Sequence, residues 1–292
     1  MSFYFSNLRR QGSLSAGLLL ALALGLAACT DKSSAFVPPV APPVVPAVNE
    51  VARDYNDYTT VVWSDEFTGG ALDQSKWGYD LGGGGWGNNE LQAYTNSNDN
   101  VYLAGGNLVI QARRQQSGSN AYTSGRLLTK GKQSFVYGRT DVRAKVPKGK
   151  GIWPAIWMLG ADIDQNNWPK CGEIDIMELR GSRPNELLST MHFGNPTRVM
   201  KGTTAVQAND LSDDFHIYSA VRSKDQIRFF IDGVQYFTFT KADVGSNPYP
   251  FNNPFFIILN VAVGGDFDGN PDASTTFPQQ MQVDYVKHYQ YK

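Results

Sequence analysis

Gly172-Glu-Ile-Asp-Ile-Met-Glu178 places three carboxylates within six positions of an otherwise apolar stretch. Side chains alternate across a β-strand, so Glu173 and Asp175 share one face while Ile174 and Ile176 enter a core on the other. Strict alternation sends Glu178 to the apolar face. A β-bulge with Met177 as the extra residue resets the alternation and lines up all three acids.

Carboxylates in a row repel one another and contribute no packing, so a fold keeps them for binding or chemistry. A metal site wants oxygen ligands converging on one point, whereas this row runs along a strand with His192 as one further ligand nearby. Glycoside cleavage with retention wants two carboxyl groups flanking a sugar, roughly 5 to 5.5 Å apart. Two long glutamates on a concave sheet meet that need. Asp175, between them, would hydrogen-bond Glu173 and keep the two glutamates in different protonation states. The plainer alternative is an edge strand whose charges discourage pairing with other chains.

The segment resembles the active-site strand of glycoside hydrolase family 16, in its laminarinase branch. Similar motifs follow in the same order: Trp63-Ser-Asp-Glu-Phe67, Gly85-Trp-Gly-Asn-Asn-Glu-Leu-Gln92, Gly149-Lys-Gly-Ile-Trp-Pro-Ala-Ile-Trp-Met158, Asn260-Val-Ala-Val-Gly-Gly265 and Val283-Asp-Tyr-Val286. Together they cover about residues 60 to 292. The resemblance implies an all-β jelly-roll sandwich of two antiparallel sheets with a concave substrate cleft, and an endo-β-1,3-glucanase acting with retention. It implies Glu173 as nucleophile, Asp175 as assisting carboxylate and Glu178 as acid/base. No cofactor is implied for catalysis. A structural calcium is implied on the convex side, held by the backbone of Glu66 and Gly106 and the carboxylate of Asp284. Two departures stand out: Val221 and Arg222 replace a usual Glu-Trp after Phe215-His-Ile-Tyr218, and Phe229-Phe230 replaces a pair with Trp or Tyr.

Trp153 and Trp157 lie four apart on one strand face, where they suit either the apolar faces of sugar rings or the sandwich core. The resemblance favours the sugar. Gly82 to Gly87, followed by Asn88, Asn89 and Glu90, is too glycine-rich for a strand. It reads as a loop whose backbone approaches a ligand, with Trp86 as a stacking platform and Asn89 beside it. A phosphate-binding loop would need a Lys-Ser/Thr pair that is missing. His192, Arg113 and Asn260 are candidates for hydroxyl contacts; His216 and His288 receive no role. Asp266 to Asp272 lacks the glycine and glutamate of a helix-loop-helix calcium loop.

Around this region the chain reads strand after strand: 107–113, 135–146, 152–159, 173–179, 188–192, 216–222, 226–231, 234–240, 255–262 and 281–289 carry β-branched and aromatic residues between turn formers. Asp232-Gly233 signals a two-residue hairpin. Strands in this number and spacing mean a two-sheet sandwich.

Residues 1–28 read as a lipoprotein signal peptide, with Arg9 and Arg10 before an apolar run that ends in Leu26-Ala-Ala-Cys29. Cys29 is the expected lipidated residue. Residues 29–57, with Pro38, Pro39, Pro42, Pro43 and Pro46, read as a semi-rigid tether. Residues 58–292 then form one catalytic domain, with the protein expected as a monomer in a bacterial cell envelope, at the outer membrane or cell surface. Cys29 and Cys171 are the two cysteines of the chain, so the domain has no internal disulfide, and Cys171 reads as a small buried hydrophobe. A net charge of −1 and a pI near 6.3 argue against nucleic acid and fit a neutral polymer, and the resemblance implies that this polymer is a β-glucan. A non-catalytic glucan-binding protein of the same fold, a mixed-linkage glucanase and a galactan-cleaving or transglycosylating enzyme remain alternatives.

Overall fold

Among the described residues, 49–291 of a computed structural model, the chain forms seventeen strands. They are β1 (Thr60–Asp65), β2 (Gly78–Tyr79), β3 (Gln92–Tyr94), β4 (Val101–Ala104), β5 (Asn107–Ala112), β6 (Tyr122–Ser124), β7 (Arg126–Leu128), β8 (Gly138–Lys145), β9 (Ile152–Gly160), β10 (Glu173–Leu179), β11 (Glu186–Phe193), β12 (Val199–Val206), β13 (His216–Ser223), β14 (Gln226–Ile231), β15 (Val234–Thr240), β16 (Phe255–Val263) and β17 (Gln279–Gln290). The expected signal peptide, Cys29 and most of the expected tether lie outside the described residues.

Two antiparallel sheets face each other as a β-jelly-roll sandwich. One runs β15-β14-β13-β8-β17-β5-β4, with β1 also on β17; the other runs β12-β11-β10-β9-β16-β7-β2. Their inner faces supply one core. Leu108, Ile110, Val142, Ala144, Tyr218, Met281 and Val283 come from the first sheet, Ile152, Ile156, Met158, Ile174, Ile257 and Leu259 from the second. Each buried Leu, Ile or Val contributes roughly 1.5 to 3 kcal/mol by leaving water, which is what drives the two sheets together.

All ten expected strand segments are present. The hairpin between β14 and β15 turns on Asp232 and Gly233, both at positive φ (49° and 79°), as a tight right-twisting two-residue connection demands. The seven strands outside the expectation are short or lack a clear apolar alternation. The edge strand β12 leaves Met200 and Val206 more than half exposed, so it shows no core-facing pattern to read.

Residues 49–57, the end of the expected tether, lie on the first sheet. Tyr55 packs on Phe230 with ring centroids 4.7 Å apart, and Asn49 Oδ1 accepts the Tyr291 N–H at 2.7 Å. A tether boundary drawn from proline content alone misses these contacts, because Asn49 and Tyr55 find their partners in distant strands.

Candidate active site

The acidic row rises from β10 on the face of the second sheet turned away from the core. Gly172 sets the entry. Its φ is +82°, and a Cβ there would meet Pro250 Cγ at 2.6 Å, so glycine meets both demands. Along β9 the pairing runs Asp175 with Trp157, then Met177 with Ile156, leaving Ile176 unpaired; against β11 the register slips between Asp175 and Glu178. The expected bulge therefore exists, with Ile176 rather than Met177 as the residue skipped by β9. Both side chains are fully buried in the core. Two successive apolar residues find core volume at the kink, and Glu178, opposite Ala155, returns to the face of Glu173 and Asp175.

Neighbouring strands complete this face. His192 on β11 pairs with Glu173 in register. Its Nε2 stands 3.2 Å from Asp175 Oδ2 and 3.6 Å from Glu173 Oε1. Asp175 differs from expectation: its Oδ2 makes no hydrogen bond, and the side chain faces His192 rather than bonding Glu173. The register decides this, since β11 brings the imidazole directly beside it.

Trp153 and Trp157 both stand on the acidic face, half-buried. Trp153 Nε1 donates to Glu178 Oε1 at 3.0 Å, and its ring stacks on Phe267 at 4.5 Å. Arg180 covers Phe267 in turn, 4.4 Å from the ring centroid, and donates from Nε to the Phe267 carbonyl. Trp157 Nε1 donates to Asn260 Oδ1 at 2.7 Å. Asn260 Nδ2 donates to the Tyr94 hydroxyl, which donates to Glu90. The Asn260 amide thus spends one end on Trp157 and the other on Tyr94, which makes it a support of the indole rather than a free partner for hydroxyls. Trp86 lies at the far side, its Nε1 donating to Gly82 O, and the Arg126 guanidinium sits between it and Trp157 at 4.7 and 4.8 Å. Asp80 holds Arg126 by an ion pair of 2.9 Å.

Two expected contacts stand elsewhere. Arg113 follows β5 in the first sheet, pairs with Asp99 at 3.6 Å, and lines a cavity with Gln111, Arg114 and Phe277 that none of the three acids lines. Asn89 directs Nδ2 to both oxygens of Asp266 at 3.0 and 3.1 Å, tying the glycine-rich loop to the segment that carries Phe267. Sequence position alone could not separate these uses from sugar contact.

Burial pushes Glu173 up to about 8, the charge of Asp175 adding to the shift and His192 opposing it. Burial likewise pushes Glu178 up to about 8, with Asp175 adding, and His192 and the Trp153 hydrogen bond opposing. Asp175 is raised well above the carboxylate range by burial alone. Three acids this close titrate as one system and keep protons near neutral pH. A row that shares protons in this way can hold one carboxyl group protonated while a neighbour is ionised. The Cys171 thiol beside the row is pushed up to about 11 by burial, then by Asp162 and Glu173, so it stays a protonated core residue.

A family profile described as glycosyl hydrolases family 16 matches residues 88–287. This chain belongs to that family. Glucan endo-1,3-beta-glucosidase A1 of Niallia circulans is 41% identical over 256 residues, which span 78% of this chain and 37% of that protein. The beta-glucanase of Rhodothermus marinus is 40% identical over 247 residues, 79% of this chain and 85% of that protein. The laminarinase catalytic domain of Thermotoga maritima MSB8 superimposes with a TM-score of 0.75 at 40% identity, covering 80% of this chain and 98% of that one. Family 16 chemistry needs no catalytic cofactor.

Within this family member, Arg126, Tyr94, Phe267 and Arg180 join the site although the motifs gave no sign of them. Cation–π and stacking partners come from β7, β3 and separate loops, and no spacing rule links those. The departures from the family pattern fall on the first sheet. Arg222 is buried there and donates to the carbonyls of Phe135, Phe251 and Asn253, while Phe229 enters the core. Neither touches the acidic face.

The register also brings the segments that carry the expected calcium ligands beside the middle of β17: Asp65 pairs with Val286, and Leu108 with Val283. Asp284 is the extra residue of a bulge against β8, half-exposed, and gives Oδ2 to Arg143 at 2.7 Å. A carboxylate with two main-chain carbonyls would be a hard oxygen set that suits calcium, but Arg143 already holds Asp284.

Proposed function

We propose that this family 16 protein is an endo-acting β-1,3-glucanase that cleaves laminarin-type chains with retention. The observation that carries the reading is the bulge in β10, which returns Glu178 to the face of Glu173 beside Trp153. In this reading Glu173 attacks the anomeric carbon while Glu178 gives its proton to the leaving glycosidic oxygen. Glu178 then takes a proton from water, whose oxygen displaces Glu173 and releases a sugar of unchanged configuration. Asp175 and His192 tune the charge on Glu173, and the Trp153, Trp157 and Trp86 rings offer flat apolar surfaces to sugar rings. The names of the relatives support β-1,3-glucan as substrate. Hydrolysis of a panel of β-glucans and galactans, followed by proton NMR of the first-formed reducing ends, tests the reading. Cleavage of laminarin with β-anomers first is expected; inverted anomers, or activity confined to galactans, overturn it.

The same reading places the enzyme on a membrane. Leu26-Ala-Ala-Cys29 followed by a proline-rich stretch supports a lipid anchor with a spacer that lets the domain reach a polymer. Mass spectrometry of membrane-extracted protein is expected to find acylated Cys29 as the mature N-terminus, and an unmodified Cys29 would sink the anchor. A calcium ion at Glu66, Gly106 and Asp284 belongs to the proposal as a purely structural element.

A further inference from the structure

Glu173, Asp175 and His192 each offer one ligand atom, and these atoms all lie within 4.8 Å of one another. A tetrahedral ion with ligand distances near 2.1 Å separates its ligands by about 3.4 Å. Two edges of this triangle already have that length: His192 Nε2 is 3.2 Å from Asp175 Oδ2 and 3.6 Å from Glu173 Oε1. The contact between His192 and Asp175 is not an in-line hydrogen bond. Asp175 Oδ2 is buried with no partner although its residue is only 3% exposed, and His192 Nδ1 is buried without one as well. Buried polar atoms seldom go unpaired, and one aimed at a cluster of ligands signals a guest. Side chains of Glu173 and His192 keep 18% and 12% of their surface open, so an ion can reach them from solvent.

From this geometry we infer that the three side chains form a binding site for a borderline-soft divalent transition metal of the zinc class, and that the ion is a reversible inhibitor of the enzyme. One imidazole and two carboxylates suit zinc, whereas calcium and magnesium prefer an all-oxygen shell. The inhibition rests on the reading of Glu173 as nucleophile, since a coordinated carboxylate cannot attack a sugar. The binding itself does not rest on it.

Calorimetric titration of the full chain with ZnCl2, in chelator-treated buffer, is expected to show one saturable site. CoCl2 is expected to give the intense visible absorption of a four-coordinate ion and to be displaced by zinc. His192→Gln is expected to weaken zinc binding by at least the roughly 10- to 100-fold that loss of a mere outer partner costs. Asp175→Asn serves as the second variant, with far-UV circular dichroism confirming the fold of each. His216→Gln, at the His216–Asp232 pair on the other sheet, is expected to bind zinc as the parent does. A laminari-oligosaccharide is expected to weaken zinc binding, and zinc to raise KM without lowering kcat. Unchanged zinc binding in folded His192→Gln, loss of it in His216→Gln, or absence of a saturable site overturns the metal site. Saturable binding at these residues with no effect on hydrolysis removes the inhibition alone. Absence of any β-glucan hydrolysis overturns the function, while calorimetry and the cobalt spectrum still judge the site.

Discussion

Glu178, pushed up to about 8 by burial, accepts a hydrogen bond from Trp153 that favours its ionised form. Trp153→Phe removes that donor while keeping a ring for Phe267 to stack on. The Glu178 pKa is then expected to rise, moving the alkaline limb of the kcat/KM profile upward by a fraction of a unit to about one unit, since a hydrogen bond is worth about 1 kcal/mol. A downward move would show that the indole N–H does not govern Glu178. At Glu173 the expected losses are larger. Glu173→Ala leaves no covalent route, and azide is expected to restore turnover by filling the emptied space and yielding a glycosyl azide of inverted configuration. The same residue costs stability. A carboxyl whose native pKa is raised from 4.5 to about 8 binds its proton more tightly when folded, so stability falls as pH rises through that window. Glu173→Gln is accordingly expected to melt higher than the parent at pH 8, by an amount on the order of 1 to 2 kcal/mol, and to match it near pH 4. An unchanged or lower melting point at pH 8 would contradict the burial argument.

At the scale of the element, β10 works because its pleat is broken once. Deleting Ile176 removes the unpaired residue and brings Glu178 to four positions from Glu173, so strict alternation leaves Glu178 on the acidic face and Met177 in the core. Activity is expected to persist at a reduced level, and the melting temperature to fall, because one buried apolar side chain is lost while the acidic row is kept. Complete loss of activity in a folded deletion variant would show that the bulge sets more than the face of Glu178. The need for a reset could be read from the sequence, since Glu178 lies five residues from Glu173. Which residue the strand would skip could not. Ile176 and Met177 are equally apolar, and the pairing with β9 made the choice. Short strands such as β2, β3 and β7 were illegible for a related reason: two or three residues show no period, and their partners lie far along the chain.

For the whole molecule, two sheets divide the work. The second carries the acids, Trp153, Trp157 and His192, while the first carries the proposed calcium ligand Asp284, the substitutions at Val221 to Phe230, and residues 49–57. Chelation with EDTA is therefore expected to lower the melting temperature, by RT ln(1 + [Ca]/Kd) or about 2.7 kcal/mol at a hundredfold excess over Kd, while leaving KM for laminarin unchanged. A loss of kcat with no loss of stability would move that ion to the catalytic face. Arg222 behaves as a structural piece in the same sheet: burial lowers its pKa to about 10, and three carbonyls take the place of an acid partner.

Local chemistry was enough to read several features from the chain by itself. The alternation around Glu173 and Asp175, the Asp232-Gly233 turn and the strand density follow from backbone geometry acting over a few residues, and they determined an all-β sandwich with an acidic row. What the row does to its own charges was decided by tertiary structure. Burial that lifts Glu173 and Glu178, the turn of Asp175 toward His192, the use of Asn260 to brace Trp157, and the clamp of Arg126 between two indoles all depend on strands separated by tens of residues meeting in one register. Desolvation and cross-strand contact are properties of the packed sheet, and no spacing within the chain encodes them.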